Sequence, residues 1–327
     1  GDVLEVWVPS WRPDVHGEAD LVEEIARVAS LTKLPAKPLR RPDGVSRGTL
    51  TPMQRRESAA RRCLAGRGLN ECVTYSFVSE AEARLFGGGQ PLLKLENPIS
   101  SEMSDMRPNA LPGLLAAAAR NQARGMGEMA LFEVGPAFHG AEPGEQALEA
   151  VAVRVGHTAP RDWTGMRRAA DLYDAKADAL AALSAIGVDT GKLMAVREAP
   201  EWFHPGRSAA LKLGPKNTLA VFGELHPRVV EAMDVKGPAV AAVVLLENAP
   251  LPKRKGATRP ALDVSDLQAV ERDFAFVVDA RVEAEDILRA ARSAEKKLIE
   301  RAGVFDVFEG QAAAEQLGEG KKSVAIT

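Results

Sequence analysis

The stretch MALFEVGPAFHGAEPGEQALEAVAVRV, Met129–Val155, decides the fold class. Its first ten residues, Met129–Phe138, are mostly apolar and read as a strand. A polar loop, His139–Gln146, follows, and Ala150–Val155 reads as a second strand. Ala209–Leu213, Thr218–Phe222 and Ala239–Leu246 are further strand candidates, with a helix near Asp171–Ile186 among them. Strands and helices do not alternate strictly. An α+β fold built on an antiparallel sheet is therefore expected, rather than a doubly wound one.

Upstream, a helix is predicted from Pro52 to Gly66, with Gly68 as its stop, and a strand at Cys72–Val78. Leu111–Ala123, rich in Ala and Leu, reads as another helix. Pro35–Gly48, with three prolines and two glycines, reads as a linker. Near the start, a helix from about Glu18 to Leu31 places Leu21, Ile25 and Val28 at i, i+4 and i+7, the mark of a buried stripe. Ala249–Pro260 (APLPKRKGATRP) is the clearest boundary in the chain. Beyond it come a strand at Phe274–Val278, an amphipathic helix at Val282–Arg301 and strands at Val304–Phe308 and Lys322–Thr327. Ile287, Ala291 and Leu298 form that helix's apolar stripe. This β-α-β-β order is the front of a ferredoxin-like split βαβ unit, which is expected to continue past Thr327.

The chain has 327 residues, 46% hydrophobic and 27% charged, enough for two or three domains with proper cores. No apolar run is long enough to cross a bilayer, and the first residues lack the pattern of a signal peptide. Two cysteines, Cys63 and Cys72, form no metal-binding or disulfide pattern, which fits the cytoplasm. The net charge of −3 does not advertise nucleic-acid binding, although local basic clusters still permit it.

The densest chemical feature is WRPDVHGEADLVEEIAR, residues 11–27. Asp20, Glu23 and Glu24 are spaced i, i+3, i+4 on one helix face, and Asp14 is close enough to fold back beside them. Such hard oxygen ligands suit Mg²⁺. The ordinary reading is a solvated face with acidic residues near a helix N-terminus, and Arg27 is placed to neutralise part of it. Spacing leaves both readings open. Other features are weaker. His204-Pro205 and His226-Pro227 read as structural turns, and Gly87–Gly89 is a loop without the Lys-Ser/Thr of a phosphate cradle. The arginines 55, 56, 61, 62 and 67 read first as a solvated helix face, and only second as an RNA or subunit contact, as do Lys253–Lys255 and Lys321-Lys322.

Several motifs then converge. VPSWRPDVHGEADLVEEIARV resembles the end of the DNA-binding-like domain of the bacterial phenylalanyl-tRNA synthetase β subunit. GLNECVTYSFVS (Gly68–Ser79), NPISSEMSDMRPNALPGLLAAAARNQARG (Asn97–Gly125), LFEVGPAFHG (Leu131–Gly140), FHPGRSA (Phe203–Ala209) and FGELHP (Phe222–Pro227) resemble its catalytic-like core, in the same order. ERDFAFVV, VFDVFEG and GKKSVA resemble its ferredoxin-fold anticodon-binding domain. The resemblance covers nearly the whole chain. It implies four parts: residues 1–40 as the end of a DNA-binding-like domain, 41–250 as an inactive class II synthetase-like core, 251–264 as a linker and 265–327 as the anticodon-binding domain.

The same resemblance implies that Asp14, Asp20, Glu23 and Glu24 contribute to a Mg²⁺ site shared with the α subunit. ATP is expected on the α subunit, since the loop His139–Gln146 holds no Arg or Lys to receive phosphates. The implied partners are the α subunit, in an α2β2 heterotetramer, and tRNA(Phe). The helix Pro52–Gly66 and the strand after it are expected to pack on α, with Ala59, Cys63 and Leu64 as an apolar stripe left open for it. Arg272, Lys321 and Lys322 are named as tRNA phosphate partners on charge alone. The β subunit's N-terminal tRNA-binding and editing domains have no counterpart here, so hydrolysis of mischarged tRNA is not expected. Two rivals remain: a two-metal enzyme centred on the acidic helix, and a freestanding RNA-binding paralogue without ligase role.

Overall fold

The computed structural model describes residues 3–39, 48–251 and 264–327. The chain divides into two compact units, residues 1–253 and 254–327. Most of the expected linker 251–264, with Lys253–Lys255, and residues 40–47 of the earlier linker lie outside the described residues.

The first unit opens with α1 (Glu18–Ala29) and α2 (Pro52–Gly66). Thr51 starts α2: its side chain accepts from the Gln54 amide while the Gln54 side chain accepts from the Thr51 amide. Pro52 fits the first turn, where no amide hydrogen is needed. Short strands β1 (Asn70–Glu71), β2 (Phe77–Val78) and β3 (Asp105–Met106) lie around α3 (Glu80–Leu85), and α4 (Leu111–Gln122) follows. The long strands β4 (Met129–Phe138) and β5 (Gln146–Val155) form the expected hairpin. After α5 (Leu172–Ala185) come β6 (Met194–Val196), β7 (Phe203–Lys212), β8 (Thr218–Leu225), α6 (Pro227–Ala232) and β9 (Ala239–Leu245).

These strands make a seven-stranded sheet in the order β1-β4-β5-β9-β8-β7-β6. Every pair is antiparallel except β1 with β4 at the edge. Both faces are covered. Phe132, Val134, Ala150, Ala152, Val240, Ala242 and Val244 form one core with residues of α2 and α5, and Leu131, Val151, Val153, Ala241 and Val243 form the other with α4. Adjacent residues therefore serve opposite cores, and the central strands read as unbroken apolar runs.

The second unit holds β10 (Phe274–Asp279), α7 (Ala284–Ala294), β11 (Val304–Phe308), α8 (Gln311–Leu317) and β12 (Lys321–Ile326). Its antiparallel sheet runs β10-β12-β11. No helix among the described residues is long and apolar enough to cross a membrane.

Several expectations need correction. Ile25 and Val28 are 68% and 78% exposed and α1 has no buried residue, so its stripe meets no core among the described residues. Of the expected strand Cys72–Val78 only Phe77–Val78 is strand (β2), with β1 just before it, because residues 72–76 bond to β4 and to Arg107 rather than to a full ladder. Leu64 is buried within the chain's own core and Ala59 packs against it, so these two residues of the stripe on α2 are already used, while Cys63 is half-buried. His204-Pro205 lies inside β7, at a break in register between Phe203 and Ser208, and is no simple turn. His226 is the N-cap of α6. In the second unit α7 stops at Ala294, where Glu295 turns extended, and Leu298 lies exposed beyond it. The short α8 also separates the last two strands, so the order is β-α-β-α-β.

Candidate functional site

The acidic segment is folded by its own cations. Arg12 Nη2 lies 2.7 Å from both Asp14 Oδ2 and Glu24 Oε1, and Arg27 Nη2 donates to Glu24 Oε2 at 2.5 Å. Asp20 Oδ2 accepts from the amides of His16 (2.8 Å) and Gly17 (2.9 Å), closing the N-terminus of α1. These contacts favour the charged forms. Arg12 holds the Asp14 carboxyl down to about 2, and Arg12 with Arg27 does the same for Glu24. The His16 and Gly17 amides lower Asp20. Glu23 is exposed. In this arrangement a guanidinium, rather than an ion, stands between Asp14 and Glu24. Among the described residues no group of three or more His, Cys, Asp or Glu is placed to hold a metal.

A second charged cluster lies under the sheet. Arg107, 1% exposed, precedes α4 and reaches over β4. Its Nη1 donates to Glu133 Oε1 at 2.7 Å and to Thr74 Oγ1 at 2.9 Å, and its Nε donates to the Pro136 carbonyl at 3.0 Å. Thr74 donates to Glu133 Oε2 through Oγ1 (2.7 Å) and its amide (3.2 Å). Two glycines make room. A Cβ on Gly135 would stand 2.7 Å from Arg107 Nη2, and one on Gly113 would stand 2.3 Å from Thr74 Oγ1. Directly across from Gly135 in register is Glu149, 4% exposed, whose Oε2 has no hydrogen-bond partner. Burial pushes its carboxyl up to about 8, against the pull of Arg107.

The segment that Thr74 anchors has two sides. Cys72 donates its amide to the Phe132 carbonyl at 2.7 Å, and the Ser76 carbonyl accepts from the Arg107 amide at 2.9 Å. Thr74 points inward, while Val73 and Tyr75 are 91% and 72% exposed. An apolar edge is thus fastened from beneath by a buried ion pair. The arginines of α2 are also less free than their spacing suggests. Arg56 is buried and donates to the carbonyls of Leu246, Ala249 and Pro250, and Arg61 donates to the Val134 carbonyl. Arg67 joins Arg154 on Asp178, which is 1% exposed. Asp178, Glu133 and Arg107 carry no local signal, since their partners lie tens of residues away.

In the second unit, Lys321 pairs across the sheet with Asp279 and Lys322 with Val278. Arg272 precedes Phe274, at the opposite end of that six-residue ladder, roughly 17 Å of strand away. Neighbouring residues of a strand face opposite ways, so Lys321 and Lys322 also diverge. The three do not form one patch. Phe276, Val278, Ile287, Ala291 and Ile326 line an apolar groove of about 450 Å³ between sheet and α7.

Comparison with known proteins settles the family. Residues 38–245 match the phenylalanyl tRNA synthetase beta chain CLM domain. The chain belongs to the phenylalanyl-tRNA synthetase β chain family. Residues 1–30 match the tRNA synthetase B5 domain and residues 265–327 the ferredoxin-fold anticodon binding domain. A phenylalanine–tRNA ligase β subunit from Cereibacter sphaeroides is 63% identical over 320 residues, covering 98% of this chain and 40% of that protein. One from Ruegeria pomeroyi is 62% identical over 321 residues, with the same two coverages. The chain thus spans two fifths of the length of these curated relatives. Among solved structures, a pyrrolysyl tRNA synthetase from Desulfitobacterium hafniense aligns with a TM-score of 0.46 and 15% identity, over 71% of this chain and 73% of that one.

Proposed function

We propose that this chain is the non-catalytic core and anticodon-binding portion of a phenylalanyl-tRNA synthetase β subunit, docking on the α subunit of a cytoplasmic α2β2 ligase. The relatives' names supply the ligase, and the edge at residues 72–76 supplies the docking surface. One observation carries the reading: Val73 and Tyr75 stand out of the fold while Thr74 between them is tied to a buried ion pair. An apolar edge held rigid in this way suits a protein partner. This edge replaces the stripe on α2 as the contact.

ATP is assigned to the α subunit. The β4–β5 loop has no Lys or Arg, and Arg107, the buried guanidinium over β4, is committed to Glu133. The second unit is assigned to tRNA(Phe), with Arg272, Lys321 and Lys322 as separate phosphate contacts. Magnesium is proposed only as an ion shared with α, with Asp14, Asp20, Glu23 and Glu24 as this chain's contribution. Added Mg²⁺ is then expected to leave the melting temperature of the chain alone unchanged and to raise that of its complex with α. A rise for the chain alone would return the ion to this chain.

Co-expression with the cognate α subunit tests the assembly. The two are expected to purify together, and the chain alone is expected to form no phenylalanyl-tRNA. Purification of the chain with tRNA but never with α would favour the freestanding RNA-binding reading instead.

A further inference from the structure

The buried cluster contains one guanidinium and two carboxyls, and only one carboxyl is bonded to it. Glu133 takes Arg107 Nη1, while Glu149 Oε2 is buried without a partner. Yet the charge of Arg107 also bears on Glu149. Its Nη2 sits over Gly135, the residue directly opposite Glu149 on the neighbouring strand. The missing side chain at Gly135 leaves nothing between the strand backbone and the guanidinium. The other side of Glu149 faces Leu245 of β9, and the next carboxylate on that side, Glu247, accepts from the Leu148 amide. Among the described residues, the charge that bears on Glu149 is Arg107, which Glu133 holds from its other side.

An unpartnered buried carboxyl is tolerated while it keeps its proton. Once it ionises, the cation that bears on it among the described residues is the one holding Thr74. We propose that Arg107, Glu133 and Thr74 form a clasp that fixes the Val73–Tyr75 edge, and that Glu149 opens the clasp by competing for the Arg107 guanidinium. With Glu149 protonated, Arg107 stays on Thr74 and Glu133 and the edge is held in its docking shape. With Glu149 ionised, the guanidinium turns across Gly135, Thr74 loses a partner and the edge loosens. Arg107 and Glu149 are positioning residues for the docking surface, which rests on the function proposed above.

Hydrogen exchange at the amide of residue 74, measured on the whole chain without any partner, tests the clasp. Protection in the wild type is expected to fall about tenfold or more between pH 6 and pH 9, the range spanning the Glu149 titration. In Glu149→Gln, which stays neutral, protection is expected to be the same at both. Thr74→Val is expected to be poorly protected throughout, and Thr74→Ser to regain the wild-type profile, a rescue that simple core packing would not give. Wild-type protection that stays level across this range, or a fall that survives in Glu149→Gln, would overturn the proposal. Because no α subunit is present, the clasp and the docking reading fail separately. A wild-type profile as described, in a chain that never binds α, keeps the clasp and removes the docking role.

Discussion

The carboxylates of Asp14 and Glu24 and those of Glu133 and Glu149 each gather around a single arginine, under opposite conditions. On the N-terminal segment Arg12 meets both partners in water, and both carboxyls are held far below their ordinary range. Under the sheet Arg107 meets one partner in a dry site, and burial pushes the second carboxyl up instead. The exposed cluster was visible as a spacing of acidic residues and suggested a metal. The buried one was invisible in the sequence and holds the surface proposed to matter. Charge density along a sequence marks where ions are solvated, while desolvation decides where a charge has consequences.

Unfolding experiments sharpen the contrast. The largest effect is expected for Arg107→Ala, which leaves Glu133 buried without its cation and Thr74 without a donor. A loss of about 3–5 kcal/mol is expected in urea denaturation. Arg12→Ala, with its partners in solvent, is expected to shift the midpoint far less. An equal loss at the two sites would erase the distinction. Asp178→Asn comes next. It weakens the hold on Arg67 and Arg154, which are partly exposed and able to recruit water, so a loss of about 1–3 kcal/mol is expected.

The pH profiles have opposite signs. Glu149 binds its proton more tightly in the folded chain, so its contribution is fully favourable below the ordinary carboxylate range. That contribution shrinks as pH rises through about 8. Glu149→Gln is expected to flatten this decline in thermal melts between pH 5 and 9. Asp14 and Glu24 behave in the reverse sense. Their contribution is present above the ordinary carboxylate range and is lost as pH falls towards 2. This smallest effect is expected as a shallow acid slope that disappears in Arg12→Ala.

Much of the fold was legible because the signals were local. The bounds of α2 follow from Thr51, Pro52 and Gln54 at one end and Gly66–Gly68 at the other. The run Met129–Phe138 coincides with β4 because both its faces are buried. Three helices escaped: α3 and α6, of six residues each, and α8, of seven, are too short for a 3.6-residue period to emerge. The exposed stripe of α1 misled for another reason, since periodicity records that a face is apolar and not whether this chain supplies its cover. The clasp was beyond sequence reading altogether. Thr74, Arg107, Glu133 and Glu149 meet only through the register of β4 with β5 and the close approaches at Gly113 and Gly135.

The edge at Val73 and Tyr75 bears the weight of the functional reading, and sedimentation of the chain with its cognate α subunit tests it most directly. The wild-type chain is expected to move as a complex with α. The double substitution Val73→Asp, Tyr75→Asp is expected to abolish that complex while leaving the unfolding midpoint of the chain nearly unchanged, because neither side chain is buried. A complex that forms equally well with both aspartates in place would contradict the docking role of this edge.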